Sequence, residues 1–226
     1  MINEIEIPAV VPVMTLTETV LFPQAMLPLY IFEPRYRQML ADVLDEARIF
    51  ALASVRPDED EAEILETPCS IAGVGVIRAC KKNPDGTSNL ILQGLARVQF
   101  EEILVEEPYR RARISQIISQ SDGSEKSLAA IQPTLIQLVQ TQIKLGAPIP
   151  KEVLQFLSNI NEPESVLDLA ISTLCSSSKL QQQLLETRGI VARFRQFEQS
   201  LNEQIEQLKL DRLLKNGLDD DQVGNN

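Results

Sequence analysis

The sequence predicts an α+β protein in which a β-rich part comes first and a helical part follows. Up to about residue 118 the apolar residues alternate or form short runs, whereas later they recur at helical spacing. Between the two parts lies SQSDGSE (119–125), a polar stretch with a glycine and no apolar residue. We therefore expect a β-rich domain over 1–118, a linker over 119–125, a helical domain over 126–216 and a disordered acidic tail over 217–226.

About six strands are expected in the first part. Runs such as AVVPVMTL and RIFALASV have the short apolar pattern of strands, and NPDG (83–86) has the residues of a hairpin turn. A helix is expected at 34–47, where the apolar side chains share one stripe. In the acidic loop PDEDEAEILE (57–66) the carboxylates do not alternate with other residues as they do in a calcium-binding loop. We therefore expect a solvent-exposed loop and not a metal site. About six strands suffice for a small barrel closed partly on itself.

The second part contains recognisable helix ends. Pro133 predicts a kink or a restart in the first helix, and Gly146 is well placed as its C-terminal cap. Asn161 and Glu164 have the spacing of a capping box at the start of a later helix. A single apolar stripe predicts a last helix over about 188–216, which is long for a compact bundle.

Composition excludes several classes of function. The chain has no histidine, which removes the commonest general base and transition-metal ligand. Its three cysteines, Cys69, Cys80 and Cys175, are widely spaced among apolar neighbours, as expected of reduced core thiols rather than of a disulfide or zinc site. We therefore expect no metal and no cofactor.

The charge of the chain argues against nucleic acid as a partner. The net charge is −11, and the one dense basic group is Arg110, Arg111 and Arg113, which a solvated strand edge explains. No apolar run reaches the roughly 18 to 20 residues of a membrane span, and the start MINEIEIP is acidic. We expect no membrane association and a cytoplasmic location.

The catalytic motifs that occur by spacing alone have structural explanations. Ser176 and Lys179 have the S-x-x-K spacing of a serine nucleophile and a lysine base, but a helix start explains the serines and no companion motif occurs. No phosphate-binding loop of the G-x-x-x-x-G-K-[ST] type is present in the sequence. We therefore assign no catalytic residue.

One long stretch resembles a known family. The stretch that resembles it most closely is VPVMTLTETVLFPQAMLPLYIFEPRYRQML. It is similar to the start of the N-terminal, substrate-binding domain of Lon proteases. The pattern of that family is P-L-x-x-x-V-L-F-P-x-x-x-L-P-L-x-I-F-E-P-R-Y. NPDGTSNLILQGLARVQF resembles the family's hairpin and its G-x-x-R segment, and IKLGAPIPKEVLQFLSNINEPESVLDLAIS resembles its helical half. The structural-motif residues that we select from these segments are Phe22, Pro23, Pro28, Glu33, Arg37 and Arg97.

The resemblance implies a β-rich, PUA-like pseudo-barrel followed by a helical bundle with a long last helix. In Lon proteases an ATPase module and a Ser-Lys protease domain come next, whereas the sequence here ends at KNGLDDDQVGNN. The expectation from the resemblance is thus a stand-alone relative that is not an enzyme.

The strand inside this stretch supplies the candidate site. Leu27, Leu29 and Ile31 should face the core, and the candidate peptide-binding residues Met26, Tyr30 and Phe32 should face outward. Pro28 cannot donate a ladder hydrogen bond, so the strand must be an edge or carry a bulge. An edge strand with such side chains suits capture of an extended peptide. The alternative is that Met26 and Tyr30 only pack under a loop or the helical part.

Two ion pairs are possible after this strand. Glu33 and Arg37 have the i,i+4 spacing of a helical ion pair, and Glu33 could instead reach Arg97. An exposed pair of the first kind would contribute only a few tenths of a kcal/mol.

The expected function is non-catalytic recognition of unfolded or apolar protein segments, as an adaptor or a holdase. Its partners would be such segments or one dedicated protein, and homo-oligomers are possible. The alternatives are a small-molecule or RNA-binding PUA-like module and, last, a peptidase.

Overall fold

The computed structural model of the chain describes residues 5–56 and 67–223, with side chains up to residue 214. The acidic loop expected at 57–66 lies outside the described residues. The strands are β1 (Val10–Leu16), β2 (Met26–Ile31), β3 (Ile49–Ser54), β4 (Ile71–Lys82), β5 (Ser88–Val105) and β6 (Arg110–Ile117). The helices are α1 (Pro34–Asp45), α2 (Glu125–Ala129), α3 (Ile131–Lys144), α4 (Lys151–Ser158), α5 (Pro163–Leu174), α6 (Ser178–Glu186) and α7 (Ile190–Val223). The predicted α+β fold, with strands first and a long last helix, is confirmed.

Five of the six strands form a closed ring. The strand order is β2-β5-β4-β3-β1-β6, and a further pairing between β5 and β6 closes the sheet on itself. β1 and β3 are parallel, and the other pairs are antiparallel. β5 has 18 residues, so its first part can pair with β2 while its second part pairs with β6. β2 pairs with β5 alone among the described strands, and it is therefore an edge strand, which is one of the two possibilities that Pro28 allows.

Helix α1 packs its apolar stripe into a cluster of buried side chains in this β-rich part. Tyr36, Met39, Leu40 and Val43 contribute to that cluster. The Tyr36 hydroxyl also donates to the Thr15 carbonyl oxygen at 3.0 Å and accepts from the Thr15 N–H at 3.1 Å. Because Thr15 belongs to β1, these two bonds fix the helix to the barrel in a defined orientation.

The segment between β1 and β2 lies against strand backbone, and glycines make this possible. A Cβ atom at Gly94 would lie 2.0 Å from the Phe22 carbonyl oxygen, and one at Gly73 would lie 2.1 Å from the Leu21 carbonyl oxygen. The Gln24 N–H donates to the Gly94 carbonyl oxygen, and the Gly94 N–H donates to that of Ala25, both at 2.9 Å. Leu21 and Phe22 are consequently fully buried immediately before the edge strand begins.

The predicted hairpin at NPDG is present between β4 and β5. The Asn83 N–H donates to the Thr87 carbonyl oxygen at 2.8 Å, and the Asp85 carboxylate accepts from the Thr87 N–H at 3.0 Å and its hydroxyl at 2.7 Å. Gly86 has a φ of +83°, a left-handed conformation that glycine adopts without strain. This turn fixes the register between β4 and β5 from Lys82 opposite Ser88 onward.

The chain divides into two compact units. One unit contains Met1–Ser119 and Ile171–Arg188, and the other contains Gln120–Ala170 and Gly189–Asn226. The chain thus returns to the β-rich unit within α5, which helical periodicity alone does not indicate. The domain limits expected from the sequence stay a prediction, because the two units describe how residues pack and not which segments fold alone.

Two helix boundaries in the second half differ from expectation. The side chain of Glu162, rather than that of Asn161, accepts from the N–H groups of Glu164 and Ser165 at the start of α5. A glutamate here reaches the same donors that an asparagine would have capped. α7 continues to Val223, past the expected end at 216, so the predicted disordered tail begins inside a helix.

The predicted linker takes part in helix capping. The Asp122 carboxylate accepts from the backbone N–H groups of Val191 at 2.7 Å and Ala192 at 2.9 Å, at the start of α7. Burial raises the pKa of Asp122, but these two donors outweigh it and hold the pKa below its usual value. Asp122, within the predicted linker 119–125, therefore caps the N-terminus of α7.

A buried ion pair joins α5 and α7 within the second unit. Arg193 is fully buried, its Nη1 donates to the Asp168 carboxylate, and its Nη2 lies 3.3 Å from Oε1 of Glu164. The guanidinium occupies a position on the apolar stripe of α7, where its charge requires these two carboxylates.

The fit of Phe22 against Gly94 generates a first test. Gly94→Ala should lower the free energy of unfolding by about 2 to 3 kcal/mol, because the new Cβ must displace backbone rather than a flexible side chain. Asn89→Ala, an exposed change on the same strand, should cost less than about 0.5 kcal/mol. Urea unfolding followed by circular dichroism measures both, and equal losses would show that the close approach at Gly94 does not constrain the fold.

Candidate protein-binding face

The edge strand presents large side chains to solvent on one side. Met26 is 56% exposed, Tyr30 is 54% exposed and Phe32, just past the end of β2, is 58% exposed. On the other side of the strand Ile31 is buried, and Leu27 and Leu29 pack half-buried against the α1 cluster. The alternation therefore follows the arrangement expected from the sequence. The binding role of the three exposed residues stays a prediction.

Two of these exposed side chains form an aromatic pair. The ring centroids of Tyr30 and Phe32 lie 5.8 Å apart, with an angle of 25° between the ring planes. Stacking restricts the rotation of both rings, so less side-chain entropy remains to be lost when a partner covers them. The pair is thus a preformed apolar contact surface.

The exposed face continues across β5 and β4. Tyr30 pairs with Asn89, which pairs with Lys81. Pro28 pairs with Ile91, which pairs with Ala79. Directly paired residues share one side of a sheet, so these rows form a continuous surface. We use the term outer face for the following residues: Met26, Pro28, Tyr30, Phe32, Arg78, Ala79, Lys81, Asn89, Ile91 and Gln93.

The outer face contains a shallow groove. Its volume is about 460 Å³, and its lining includes Pro28, Tyr30, Ala79, Lys81 and Ile91. Ile91 is itself 39% exposed, which is unusual for an isoleucine within a strand that has neighbours on both sides. A groove of this kind can accept one or two apolar side chains of a partner, but it is too open to enclose a small molecule.

Pro28 influences how a partner could use the edge. It has no N–H to donate, and proline is found in sheets where that group would face away from the ladder. A strand added to β2 would therefore meet an interruption in the row of donors at the middle of the edge. Side-chain contacts on the outer face, more than a continuous backbone ladder, are what the edge strand offers.

The motif residues that precede this strand have structural roles. Phe22 is buried, and the guanidinium carbon of Arg97 lies 6.0 Å from its ring centroid. Nη1 of Arg97 donates to the Ser119 hydroxyl at 2.7 Å. Pro23 is half-buried in the same turn. Together these contacts fix the path of the chain into β2, and no side chain among them projects from the outer face.

The prediction that Glu33 pairs with Arg37 or Arg97 is wrong. Oε2 of Glu33 accepts from Nε of Arg35 at 2.9 Å rather than from Arg37 or Arg97. Arg37 instead lies against the β4–β5 hairpin, where a Cβ atom at Gly86 would be 2.0 Å from its Nη2. Hydrogen bonds from Thr87 lower the pKa of Asp85 in that turn, and Arg37 lowers it further. Sequence spacing could not reveal this contact, because the hairpin is distant in sequence.

The β-rich unit also contains a larger cavity away from the outer face. Its volume is about 640 Å³, and its lining includes Arg56, Cys69, Lys179, Gln182 and Glu186. Burial, followed by the nearby Glu186 carboxylate, raises the pKa of the Cys69 thiol. The thiol is therefore protonated at neutral pH and is a poor nucleophile.

One of the serines before Lys179 has a structural role. The Ser177 hydroxyl accepts from the Leu180 N–H at 3.3 Å and caps α6. The S-x-x-K spacing of Ser176 and Lys179 therefore coincides with a helix start, as expected for a chance match.

Two further findings concern cofactors and membranes. Within residues 5–56 and 67–214, no three His, Cys, Asp or Glu side chains are grouped so that they could hold a metal ion. No described helix combines the length and the apolar character that crossing a membrane requires.

Comparison with known families gives a match over most of the chain. The pattern described as the ATP-dependent protease La (LON) substrate-binding domain matches residues 10–203. This range includes the whole barrel, the outer face and the first part of α7.

Full-length relatives are also similar to this chain. It is 28% identical over 208 residues to the Lon protease of Desulfosudis oleivorans, an alignment that covers 91% of this chain and 25% of that protein. It is 30% identical over 213 residues to the Lon protease of Anaeromyxobacter dehalogenans, covering 93% of this chain and 25% of that protein. The chain thus spans about a quarter of the length of the curated relatives it matches.

Solved structures show the same fold. The Lon N-terminal domain protein of Xanthomonas campestris superimposes with a TM-score of 0.61 at 17% identity, covering 83% of this chain and 96% of that one. The N-terminal domain of the Mycobacterium avium complex Lon protease gives 0.64 at 16% identity, covering 87% and 98%. At these identities the likeness concerns the fold alone.

The two sides of β2 should differ in their contribution to stability. Leu29→Ala should lower the free energy of unfolding by about 2 kcal/mol, the low end for a core leucine, because Leu29 is half-buried. Tyr30→Ala should cost less than about 1 kcal/mol, since its ring is mostly in solvent. Urea unfolding of the two variants compares them directly, and a larger loss for Tyr30→Ala would contradict the assignment of the faces.

Proposed function

Because the chain belongs to the family of ATP-dependent protease La (LON) substrate-binding domains, we propose that it is a non-catalytic module that binds apolar segments of other proteins. The observation that carries this proposal is the outer face, where Met26, Tyr30 and Phe32, on β2 or just past its end, are each more than half exposed. Large apolar side chains clustered in this way are typical of protein-binding surfaces.

The strength of such binding can be bounded from the exposed side chains. Burial of apolar surface contributes about 25 cal/mol per Å², and ordering an extended client opposes it. With a few large side chains as anchors, the dissociation constant should be about micromolar. A module of this affinity suits reversible capture, either as an adaptor that delivers a client or as a holdase that delays its aggregation.

The proposed binding is passive. The sequence contains no phosphate-binding loop, and Ser177, between Ser176 and Lys179 of the S-x-x-K match, caps a helix. Hydrolysis of ATP or of peptide bonds is therefore not part of the proposal, and neither should be needed for clients to bind. RNA is disfavoured as a ligand by the net charge of −11.

An aggregation assay tests the proposal. The protein should slow the aggregation of a heat-unfolded client without cleaving it, and ATP should change nothing. Met26→Asp combined with Tyr30→Asp should abolish this protection, because two carboxylates would have to be desolvated in the contact. The matched control is Gln38→Asp combined with Gln116→Asp, which adds the same charge at two exposed positions away from the outer face.

The outcomes separate the possibilities. Full protection by the folded Met26 and Tyr30 double variant would remove the outer face as the binding surface. Absence of protection by the wild-type protein in several-fold molar excess would count against the holdase role and favour one dedicated partner. Circular dichroism establishes that each variant is folded.

A second candidate function is small-molecule binding. It is supported by the cavity of about 640 Å³ beside α6, which is within the size range of ligand pockets. Its lining mixes cations and carboxylates with hydroxyl groups, so it indicates no single class of ligand. A small molecule that stabilises the protein against heat, and loses that effect when Gln182→Trp fills the cavity, would support this alternative.

A further inference from the structure

The outer face is apolar along β2 and basic along β4. Tyr30 and Met26 lie on β2, whereas Arg78 and Lys81 lie exposed near the end of β4. This distribution is unexpected from composition, since the chain as a whole has a net charge of −11. The position of the two cations therefore suggests a role connected with the face itself.

Strand register joins the cations to the apolar side chains. Lys81 is opposite Asn89, and Asn89 is opposite Tyr30. Nε of Arg78 donates to the Gln93 side chain, and Gln93 is opposite Met26. Neighbouring strands lie about 4.8 Å apart, so each cation is about 10 Å across the sheet from an apolar side chain. One extended segment lying along the face can contact both.

The carboxylates nearest in sequence have other partners. Glu33, which follows Phe32, is paired with Arg35 at 2.9 Å. Asp85, in the hairpin after β4, accepts hydrogen bonds from Thr87. Among the described residues, no carboxylate forms an ion pair with either cation of the outer face. Their positive charge is therefore available to a partner.

We propose that the outer face selects extended protein segments in which large apolar residues stand beside aspartate or glutamate. This inference rests on the function proposed above and specifies its partner. The apolar residues of such a segment cover Met26, Tyr30 and Phe32, while its carboxylates lie over Arg78 and Lys81. A segment with lysine or arginine at the same positions meets two like charges.

The overall acidity of the protein does not cancel this preference. At physiological ionic strength the Debye length is about 8 Å, so acidic groups farther away are largely screened. The two cations are within one or two strand spacings of any segment on the outer face. An exposed ion pair changes affinity about two- to fivefold, so two of them together should give about a tenfold preference.

Peptide binding to the full chain tests this selection. Three fluorescent peptides share one set of aromatic and aliphatic residues and carry glutamate, glutamine or lysine between them. Fluorescence anisotropy should show the glutamate peptide binding about tenfold more tightly than the lysine peptide at low salt, with the glutamine peptide between them. The difference should shrink to about twofold near 0.5 M sodium chloride.

Paired variants locate the effect. Arg78→Gln combined with Lys81→Gln should remove most of the preference for the glutamate peptide while the glutamine peptide keeps its affinity. Lys126→Gln combined with Lys144→Gln removes the same charge from two exposed positions on α2 and α3 and should leave the preference intact. The comparison among peptides on the wild-type protein needs no variant, so it decides the point even if a variant folds poorly.

The failures can be distinguished. Equal binding of all three peptides, or tighter binding of the lysine peptide, would overturn the selection for acidic segments and leave the proposed function standing. Absence of binding by every peptide would overturn both. A dimer that is seen by sedimentation and dissociates on Met26→Asp would assign the outer face to a second copy of the chain. Binding to anionic lipid vesicles as strong as binding to the glutamate peptide would assign it to lipid. Either result would overturn the inference.

Discussion

The close contact of the Leu21–Phe22 backbone with glycines of β4 and β5 is the constraint on which the rest of the β-rich unit depends. The carbonyl oxygens of these two residues occupy space that a Cβ atom at Gly73 or Gly94 would fill. Two backbone hydrogen bonds at Gly94 then fix the turn that leads into β2. The guanidinium carbon of Arg97, on β5, lies 6.0 Å from the centroid of the buried Phe22 ring. In this family motif, which is rich in proline and aromatic residues, Leu21 and Phe22 thus pack their backbone against two glycines.

This contact determines where the edge strand begins and which side of it faces solvent. β2 starts directly after the turn, pairs only with β5 among the described strands, and is not part of the closed ring. Its inner side completes the cluster around α1, so its outer side is left with Met26, Tyr30 and Phe32. Without β2, the first part of β5 would itself be the free edge, because β6 pairs only with the second part of that strand. The same feature that completes the fold therefore creates the face that we propose binds proteins.

Local patterns in the sequence predicted the fold well and the ion pairs poorly. Strand alternation predicted the two sides of β2, and Pro28 predicted either an edge or a bulge, because both are properties of a few adjacent residues. Arg37 reaches Gly86 because α1 lies beside a hairpin that is distant in sequence, and Glu33 pairs instead with the local Arg35. The basic half of the outer face was also missed. To find Arg78 and Lys81 on this face, the residue pairing must be known across β2, β5 and β4, starting from the hairpin at NPDG.

The central claim is that the outer face of the β2–β5–β4 region binds extended apolar protein segments. The most direct test is to map amide chemical-shift changes by nuclear magnetic resonance while an unlabelled apolar peptide is added. The account predicts that the largest changes fall within 26–32 and 89–93, with smaller ones near Arg78 and Lys81. Changes confined to the cavity beside α6, or to α7, with none in β2, would contradict it.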